Sequence, residues 1–542
     1  LKRLVSLLAL LSFPALAQVN EVIEVRVTEV EVVVVDGHGK PVSGLTKNDF
    51  ELREGGKPRE ITNFYAVERG QLLREAAPAP AAATPAPAEA ALPAPPTHLA
   101  FFVDNVHLDL RQRNRVLDAV KRFAEANVSG GVTASLLTYN HDGARVRVPF
   151  TSDKTKILAA IDEMEHESAR LTEMVSERRS ITRRIDAAVS DVRRDPDEVE
   201  KIWRAILMYS DGQAHELENS LSAAGDAIRR LSGVPGRKVL VHISSGLPLQ
   251  PGIELMDYWR QAFGADPAMV NMQGLQIEKT RSFERLIKFA QANGVIVDTI
   301  DAGGIWGSAS GVEDAGGAAS LDTQLTRDNS RQTLQLIADE TGGRSIINEN
   351  DFDRALLDIA ADTTTYYSLG FHSSDGASDA LKKIDVRVKR PGLTVHATKA
   401  VRDRTFEERV LDAIQSAFDF PLDINPLGAS LEIGALRIDS DGMPAVPVRL
   451  TVDPSKLVAL PGEGSKVAHV RCYYEVRDGR GGMSNPRVVD QTIVVDDMTV
   501  PLQITRVAGL RLRRGRYTLS LAVRDLTTNE TAYVQKSLVV DR

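Results

Sequence analysis

Residues 98–108 read His-Leu-Ala-Phe-Phe-Val-Asp-Asn-Val-His-Leu, and the rest of the chain is organised around them. The apolar run 99–103 stops at a carboxylate, Asp104. A helical spacing then follows in Val116, Leu117, Val120, Phe123 and Ala124. A buried strand that ends in an acid and leads into a helix is how an open α/β sheet begins. Such sheets bind ligands beyond the carboxyl ends of their strands. Asp104 therefore stands where a site belongs.

Downstream the pattern repeats. Strand-like runs occur at 134–139, 145–150, 238–243, 295–300 and 343–347. Helical spacings separate several of them, as in Phe283, Leu286, Ile287 and Ala290, or Phe352, Leu356 and Ile359. Alternation of this kind predicts a Rossmann-like α/β domain over 98–364, its sheet mostly parallel with helices on both faces. Two stretches interrupt it. Residues 161–231 are charged and helical and read as an inserted hairpin, and 303–317 is a Gly, Ala and Ser-rich loop. Trp306 in that loop either covers the crevice or pins the loop to the surface.

On the amino-terminal side, residues 18–70 hold a β module: a Val and Glu-rich run at 22–35, a turn at 36–39, alternation at 49–54 and a further run at 61–67. Residues 71–97 are mostly Ala, Pro, Glu and Leu and read as an extended linker. Beyond the α/β pattern, 365–402 carries strands with no helix between them, expected to pair with the amino-terminal module. Residues 403–542 begin with a helical spacing (Phe406, Val410, Ile414, Phe418) and continue as alternating strands with short turns. That pattern predicts an immunoglobulin-like β-sandwich lacking the usual disulfide, because Cys472 is the only cysteine. Between Val470 and Tyr473 it reads as a buried small hydrophobe.

Residues 1–17 have a basic start at Lys2 and Arg3, an apolar core and a small-x-small end at Ala15-Leu16-Ala17. This is the pattern of a secretory signal peptide, so the chain is expected to be exported, to a periplasmic, cell-surface or secreted location. No Cys follows the cleavage point, which argues against a lipid anchor, and no later run is long enough for a transmembrane segment. The net charge of −8 argues against a nucleic-acid partner. Basic residues such as Arg178, Arg179, Arg183 and Arg184 are interleaved with acids and read as a solvated helix face.

Several segments are distinctive: Val33-Val34-Val35-Asp36 to Pro41-Val42-Ser43-Gly44-Leu45, Asn48-Asp49-Phe50-Glu51-Leu52, Phe102-Val103-Asp104 and Tyr366-Tyr367-Ser368-Leu369-Gly370-Phe371, followed by 383–393. On these the central region resembles a von Willebrand factor type A domain, and residues from about 30 to 401 resemble, more closely, the bacterial secreted proteins called "VWFA-related". The resemblance implies an adhesion or complex-forming module. It also implies Mg²⁺ or Mn²⁺ held by an Asp-x-Ser-x-Ser motif, a Thr from a second loop and an Asp from a third, with one position open for a partner's carboxylate. The motif is degenerate here. Asp104 matches the leading Asp, but Val106 and Leu108 stand where the two hydroxyls belong. The Gly-Gly-Thr loop is replaced by the charged insertion, and Ser244 or Ser245 occupies the region of the third-loop Asp. The candidate metal set is therefore Asp104, Asn105, Ser244 and Asp301, with His107, Ser245 and Trp306 lining the crevice. A plainer reading is that Asp104 caps the loop after it through backbone N–H groups.

Enzyme motifs are missing. There is no His-Glu-x-x-His, no Gly-x-Ser-x-Gly, no phosphate loop and no dinucleotide fingerprint. Asp298 and Asp301 could meet Asp104 as paired carboxylates, which leaves a hydrolase as the least favoured reading. The leading expectation is a non-catalytic binding protein with protein partners. The alternative is a structural or assembly component of the cell envelope.

Overall fold

The computed structural model describes residues 27–74, 95–108, 110–128, 132–140, 143–167, 171–191, 195–303, 317–373, 380–438, 444–461, 465–495 and 502–540. The expected signal peptide, most of the linker and Trp306 lie outside them.

The chain opens with five strands: β1 (Thr28–Val35), β2 (Phe50–Glu54), β3 (Lys57–Arg59), β4 (Ile61–Glu68) and β5 (Gln71–Arg74). The start of the expected linker is thus a strand, paired with β4 because Leu72 and Leu73 continue its antiparallel ladder.

The α/β domain follows with β6 (Thr97–Asp104), α1 (Leu110–Asn127), β7 (Val132–Asn140), β8 (Gly143–Thr151), α2 (Lys154–Glu165), α3 (Leu171–Ser190) and α4 (Pro196–Leu231). It continues through β9 (Arg237–Ser244), α5 (Ile253–Phe263), α6 (Pro267–Ile277), α7 (Thr280–Ala292), β10 (Ile296–Asp301), α8 (Gly317–Thr341), β11 (Ser345–Ile346) and α9 (Phe352–Thr364). The strand order is β11-β10-β9-β6-β7-β8, parallel except for the edge strand β8. The order reverses at β6, so Asp104 ends the strand beside the switch point, where open sheets of this kind place their ligands. Leu99, Phe101 and Val103 face α1, α2 and α9, while Ala100 and Phe102 face α4, α7 and α8. β6 and β9, at the centre of the sheet, are buried on both sides, which is why they read as near-continuous apolar runs, whereas the edge strand β8 is mostly half-buried.

The stretch expected as one insertion divides in two. Ile157, Ile161 and Met164 of α2 belong to the main core, and so does the second half of α4, from Leu217 to Leu231. Only α3 and the first half of α4 stand apart. They build a separate core with α5 and α6, around Ile185, Ile206, Leu255 and the Trp203–Trp259 ring pair. Helix α4 spans 36 residues because its ends are well set: the Asp195 carboxylate accepts from the Asp197 N–H, Pro196 opens it, and Arg229 and Arg230 close it.

Strands β12 (Tyr366–Phe371), β13 (Lys382–Val388), β14 (Thr394–Ala397) and β15 (Ala400–Val401) return to the amino-terminal strands. One sheet has the order β14-β1-β12-β4-β5 and the other β15-β13-β2-β3. Val30, Val32, Val34, Leu369 and Phe371 of the first pack on Phe50, Leu52 and Ile384 of the second. The α/β domain is thus inserted between β5 and β12 of a β-sandwich built from both ends of this region. The sandwich meets the amino ends of the α/β strands: Arg237, at the start of β9, pairs with Glu31 and lies 4.6 Å above the Tyr366 ring. The carboxyl ends, with Asp104, face away from it.

Helix α10 (Phe406–Ser416) starts with a capping box in which Glu408 N–H donates to Thr405 Oγ1 and Thr405 N–H donates to Glu408 Oε2. The remaining strands are β16 (Ser430–Ile433), β17 (Arg437–Ile438), β18 (Pro444–Val452), β19 (Leu460–Pro461), β20 (Lys466–Asp478), β21 (Arg487–Val495), β22 (Leu502–Arg511), β23 (Gly515–Asp525) and β24 (Thr531–Val540). β16, β17, β18 and β22 form one antiparallel sheet, and β19, β20, β21, β23 and β24 the other. Two antiparallel sheets over one core make an immunoglobulin-like β-sandwich, with the short β17 and β19 added at its edges. Cys472 lies in its core, where burial pushes the thiol up to about 12.

Helix α10 joins this sandwich to the α/β domain. Asp419, just beyond it, pairs with Arg230 of α4 and with Arg477 of β20, and Phe420 enters the α/β core against Phe150. Gly233 lies so close to α10 that a Cβ there would stand 2.1 Å from the Asp412 carbonyl oxygen. Gly233→Ala is therefore expected to push α10 off α4 and to cost about 1–3 kcal/mol. Limited proteolysis would show faster cleavage around residues 400–425. Unchanged cleavage and stability would mean that this contact is not made in solution.

Candidate functional site

Asp104 is fully buried at the carboxyl end of β6, and four donors converge on it. Oδ1 accepts from the Val106 N–H at 3.1 Å and the His107 N–H at 3.2 Å. Oδ2 takes the His107 ring Nδ1 at 2.8 Å and the Ser220 hydroxyl of α4 at 2.5 Å. The backbone bonds fold residues 105–108 back over the strand end, so the side chain caps its own loop.

Charge follows from this geometry. Burial works to raise the Asp104 pKa, but the charge and hydrogen bond of His107, then His242 and Ser220, outweigh it and hold the group down at about 2. Burial works in the opposite sense on His107, and Asp104, followed by Glu216, overcomes it and raises the imidazole. His242, one strand away on β9, is pushed down to about 4 by burial and by His107, only partly offset by Asp104. Its Nε2 is buried without a partner. These directions favour charge on both Asp104 and His107 and a neutral ring on His242. Nearby, the Tyr139 hydroxyl donates to Glu216 Oε1 at 2.7 Å.

The two hydroxyl positions of the metal motif have become core. Val106 packs with the α4 and α7 side of the sheet and Leu108 with the α1 and α9 side. Neither can supply an oxygen, and the position a cation would take beside Asp104 is met by the His107 ring. Among the described residues no group of three or more His, Cys, Asp and Glu side chains is placed to hold a metal ion. As placed, these residues do not fit a hard divalent cation, which needs several oxygen ligands.

The remaining predicted residues are arranged as follows. Ser244 lies between Asp104 and Asp301 on the same face of the sheet, and its Oγ accepts from the Gly246 N–H. Asp301 is two strands from Asp104, roughly 10 Å at the usual strand spacing. Its carboxylate pairs with Arg331 of α8 at 2.9 Å and accepts from the Gly303 N–H. Asn105 donates to Asn140 Oδ1 at 3.0 Å, and Ser245 donates to the His107 carbonyl. Asp298 is not at the crevice. Three residues before Asp301 on a strand, it faces the other side, where its Oδ1 accepts from the Arg344 N–H at 2.7 Å. The paired-carboxylate arrangement expected of a hydrolase is therefore not assembled from Asp104, Asp298 and Asp301.

Sequence reasoning missed Ser220, His242 and Arg331. Ser220 had a signal: it is a small polar residue on the stripe Leu217, Leu221, Ala224, Ile228, Leu231, which a helix exposed all round would not need.

No protein-family model matches the chain, and no curated protein matches it. Among solved structures it is similar to the SpRpn10 VWA domain, at 12% identity and a TM-score of 0.20, over 48% of this chain and 93% of that one. It is also similar to the three N-terminal domains of the type V pili tip protein Mfa5 from Porphyromonas gingivalis, at 9% identity and a TM-score of 0.24, over 91% of this chain and all of that one. The fold assignment rests on the strand order and on the position of Asp104: this is a mostly parallel, Rossmann-like α/β domain flanked by β modules.

Proposed function

We propose that the chain is an exported, non-catalytic protein that binds protein partners through the carboxyl-end face of its type A-like domain, without a metal ion. The observation that carries this reading is the Asp104–His107–Ser220 cluster. In a metal-dependent site the carboxylate waits for a cation and the cation for a partner. Here the imidazolium supplies the positive charge from within, and the loop 105–108 is held whether or not a cation is present. Recognition then depends on the shape of the rim, where Leu110 is 47% exposed at the start of α1.

The scaffold reading has one observation in its favour. The α/β domain is joined to both β modules by buried or half-buried ion pairs, Arg237–Glu31 on one side and Arg230–Asp419–Arg477 on the other. Such joints suit a component that transmits position rather than one that opens and closes.

A photo-crosslinking side chain at Leu110, in cells that export the protein, tests the proposal. A discrete protein adduct is expected, undiminished by EDTA, and calorimetric titration of the purified chain with Mg²⁺ or Mn²⁺ should give no saturable heat. An adduct abolished by EDTA would overturn the metal-free mechanism. Adducts only from probes on the β modules would favour the scaffold.

A further inference from the structure

The end of the carboxyl-terminal sandwich that begins beside Arg477 has a charge unlike that of the whole chain. Residues 479–487 and 510–518 contain six arginines and no acid, in a protein of net charge −8. The turn 478–482 joins β20 to β21, and the turn before Gly515 leads into β23. Asp478 is opposite Tyr517, and Gly479 would place a Cβ 3.5 Å from that of Arg516, so the two turns form one tip. Arg480, Arg513, Arg514 and Arg516 are exposed there, and none of them is ion-paired to a described carboxylate. The neighbouring acids are occupied: Asp478 accepts from the Arg480 and Gly482 N–H groups of its own turn, and Asp419 is shared by Arg230 and Arg477. Asp541 lies outside the described residues.

Two apolar side chains stand among these arginines. Met483, bridged to Arg477, is 44% exposed, and Val539, opposite Arg516, is 59% exposed. Guanidinium groups take phosphate oxygens in a two-point fork, and they do so more readily than a strongly hydrated ammonium. A soluble polyanion would need the arginines alone and would leave Met483 and Val539 in water. A lipid surface uses both, with phosphates for the arginines and the acyl boundary for the apolar pair.

We propose that this tip docks on an anionic lipid bilayer. The acidic remainder of the chain is repelled by such a surface, so docking is oriented, with the tip inward. Arginines held at an anionic leaflet contribute roughly fivefold each to partitioning.

Flotation of the full chain with vesicles tests this, comparing pure phosphatidylcholine with the same lipid containing about one third phosphatidylglycerol. Binding is expected only to the anionic vesicles, weakened by high salt. The triple variant Arg480→Gln, Arg514→Gln, Arg516→Gln should lose on the order of 100-fold. The double variant Met483→Ser, Val539→Ser should weaken vesicle binding while leaving binding to dextran sulfate unchanged. All these positions are exposed, so the thermal transitions should coincide with wild type. Equal binding to both vesicle types, or a triple variant that binds like wild type, would overturn the proposal. So would binding to dextran sulfate with no vesicle binding, which would make the tip a site for an acidic polymer.

Discussion

Asp104→Ala is expected to destabilise the α/β domain by about 3–5 kcal/mol, the cost typical of removing one partner from a buried ion pair. The substitution strands four buried donors: two backbone N–H groups, the Ser220 hydroxyl and the His107 ring, which is left as an unpaired charge or forced to lose its proton. Urea denaturation followed by a probe near Trp203 or Trp259 would read the loss as a shifted midpoint. A loss below about 1 kcal/mol would mean that the pair is not intact in solution. The same variant cannot serve as a clean test of binding, because it unlocks the loop as well as removing a charge.

The cluster also sets a pH window. The Asp104 pKa is lowered, so its contribution is present above its ordinary value of 3.8 and is lost as the pH falls toward about 2. His107 is raised, so its contribution is complete below its ordinary value of 6.5 and is lost as the pH rises through the raised value. The titratable groups facing the pair are His242 from β9 and Glu216 from α4. Stability should therefore hold a plateau between the two limits, and His107→Gln should remove the alkaline limb and move the acid limb to higher pH, because His107 is the chief group that lowers Asp104.

Asp298→Asn is expected to stabilise the protein above neutral pH and to do little in acid. Asp298 is buried in β10, and burial foremost, with the charge of Asp362 adding to it, raises its pKa to about 7 against the Arg344 N–H, Arg237 and the Arg344 guanidinium. A raised carboxyl has the opposite sign to Asp104. Its favourable contribution is complete below 3.8 and is lost as the pH climbs through about 7. The full difference corresponds to on the order of 4 kcal/mol at alkaline pH. An asparagine oxygen can keep the Arg344 N–H bond without ever ionising. Urea midpoints at mildly acidic and mildly alkaline pH should converge for the variant and diverge for wild type. Parallel curves would mean that Asp298 is charged throughout or that water reaches it.

Why a buried acid is kept here follows from its surroundings. Arg344 pairs with Asp362 of α9 at 2.9 Å and donates to the Gly39 carbonyl of the amino-terminal module. Asp298 holds the Arg344 backbone from below, so the acid helps to set the joint between two domains. From the sequence, Asp298 and Asp301 looked like one carboxylate pair. Three residues along a strand, however, turn a side chain to the opposite face, and only the sheet shows which partners wait on each side.

Local periodicity by itself determined the α/β alternation, the strand that ends at Asp104, the helix at 406–416 and the strand pattern of the closing sandwich. These are signals of burial on one or two faces, and they repeat every two or 3.6 residues. The loss of the metal-site hydroxyls was equally legible, because Val106 and Leu108 have no oxygen to offer. Tertiary structure alone decided what took their place. Ser220 is 116 residues from Asp104, and Arg331 is 30 from Asp301. Periodicity marks Ser220 as a polar residue on a buried stripe but does not name its partner, since each partner is selected by the space and charge at a point where separate elements meet. The pairing of 365–402 with the amino-terminal strands was expected from strands with no helix between them, but which strands pair, and in what register, was decided by the sheet. Strand pairing between residues about 300 or more apart is a property of the sheet, and a single strand's sequence records only that it will be buried.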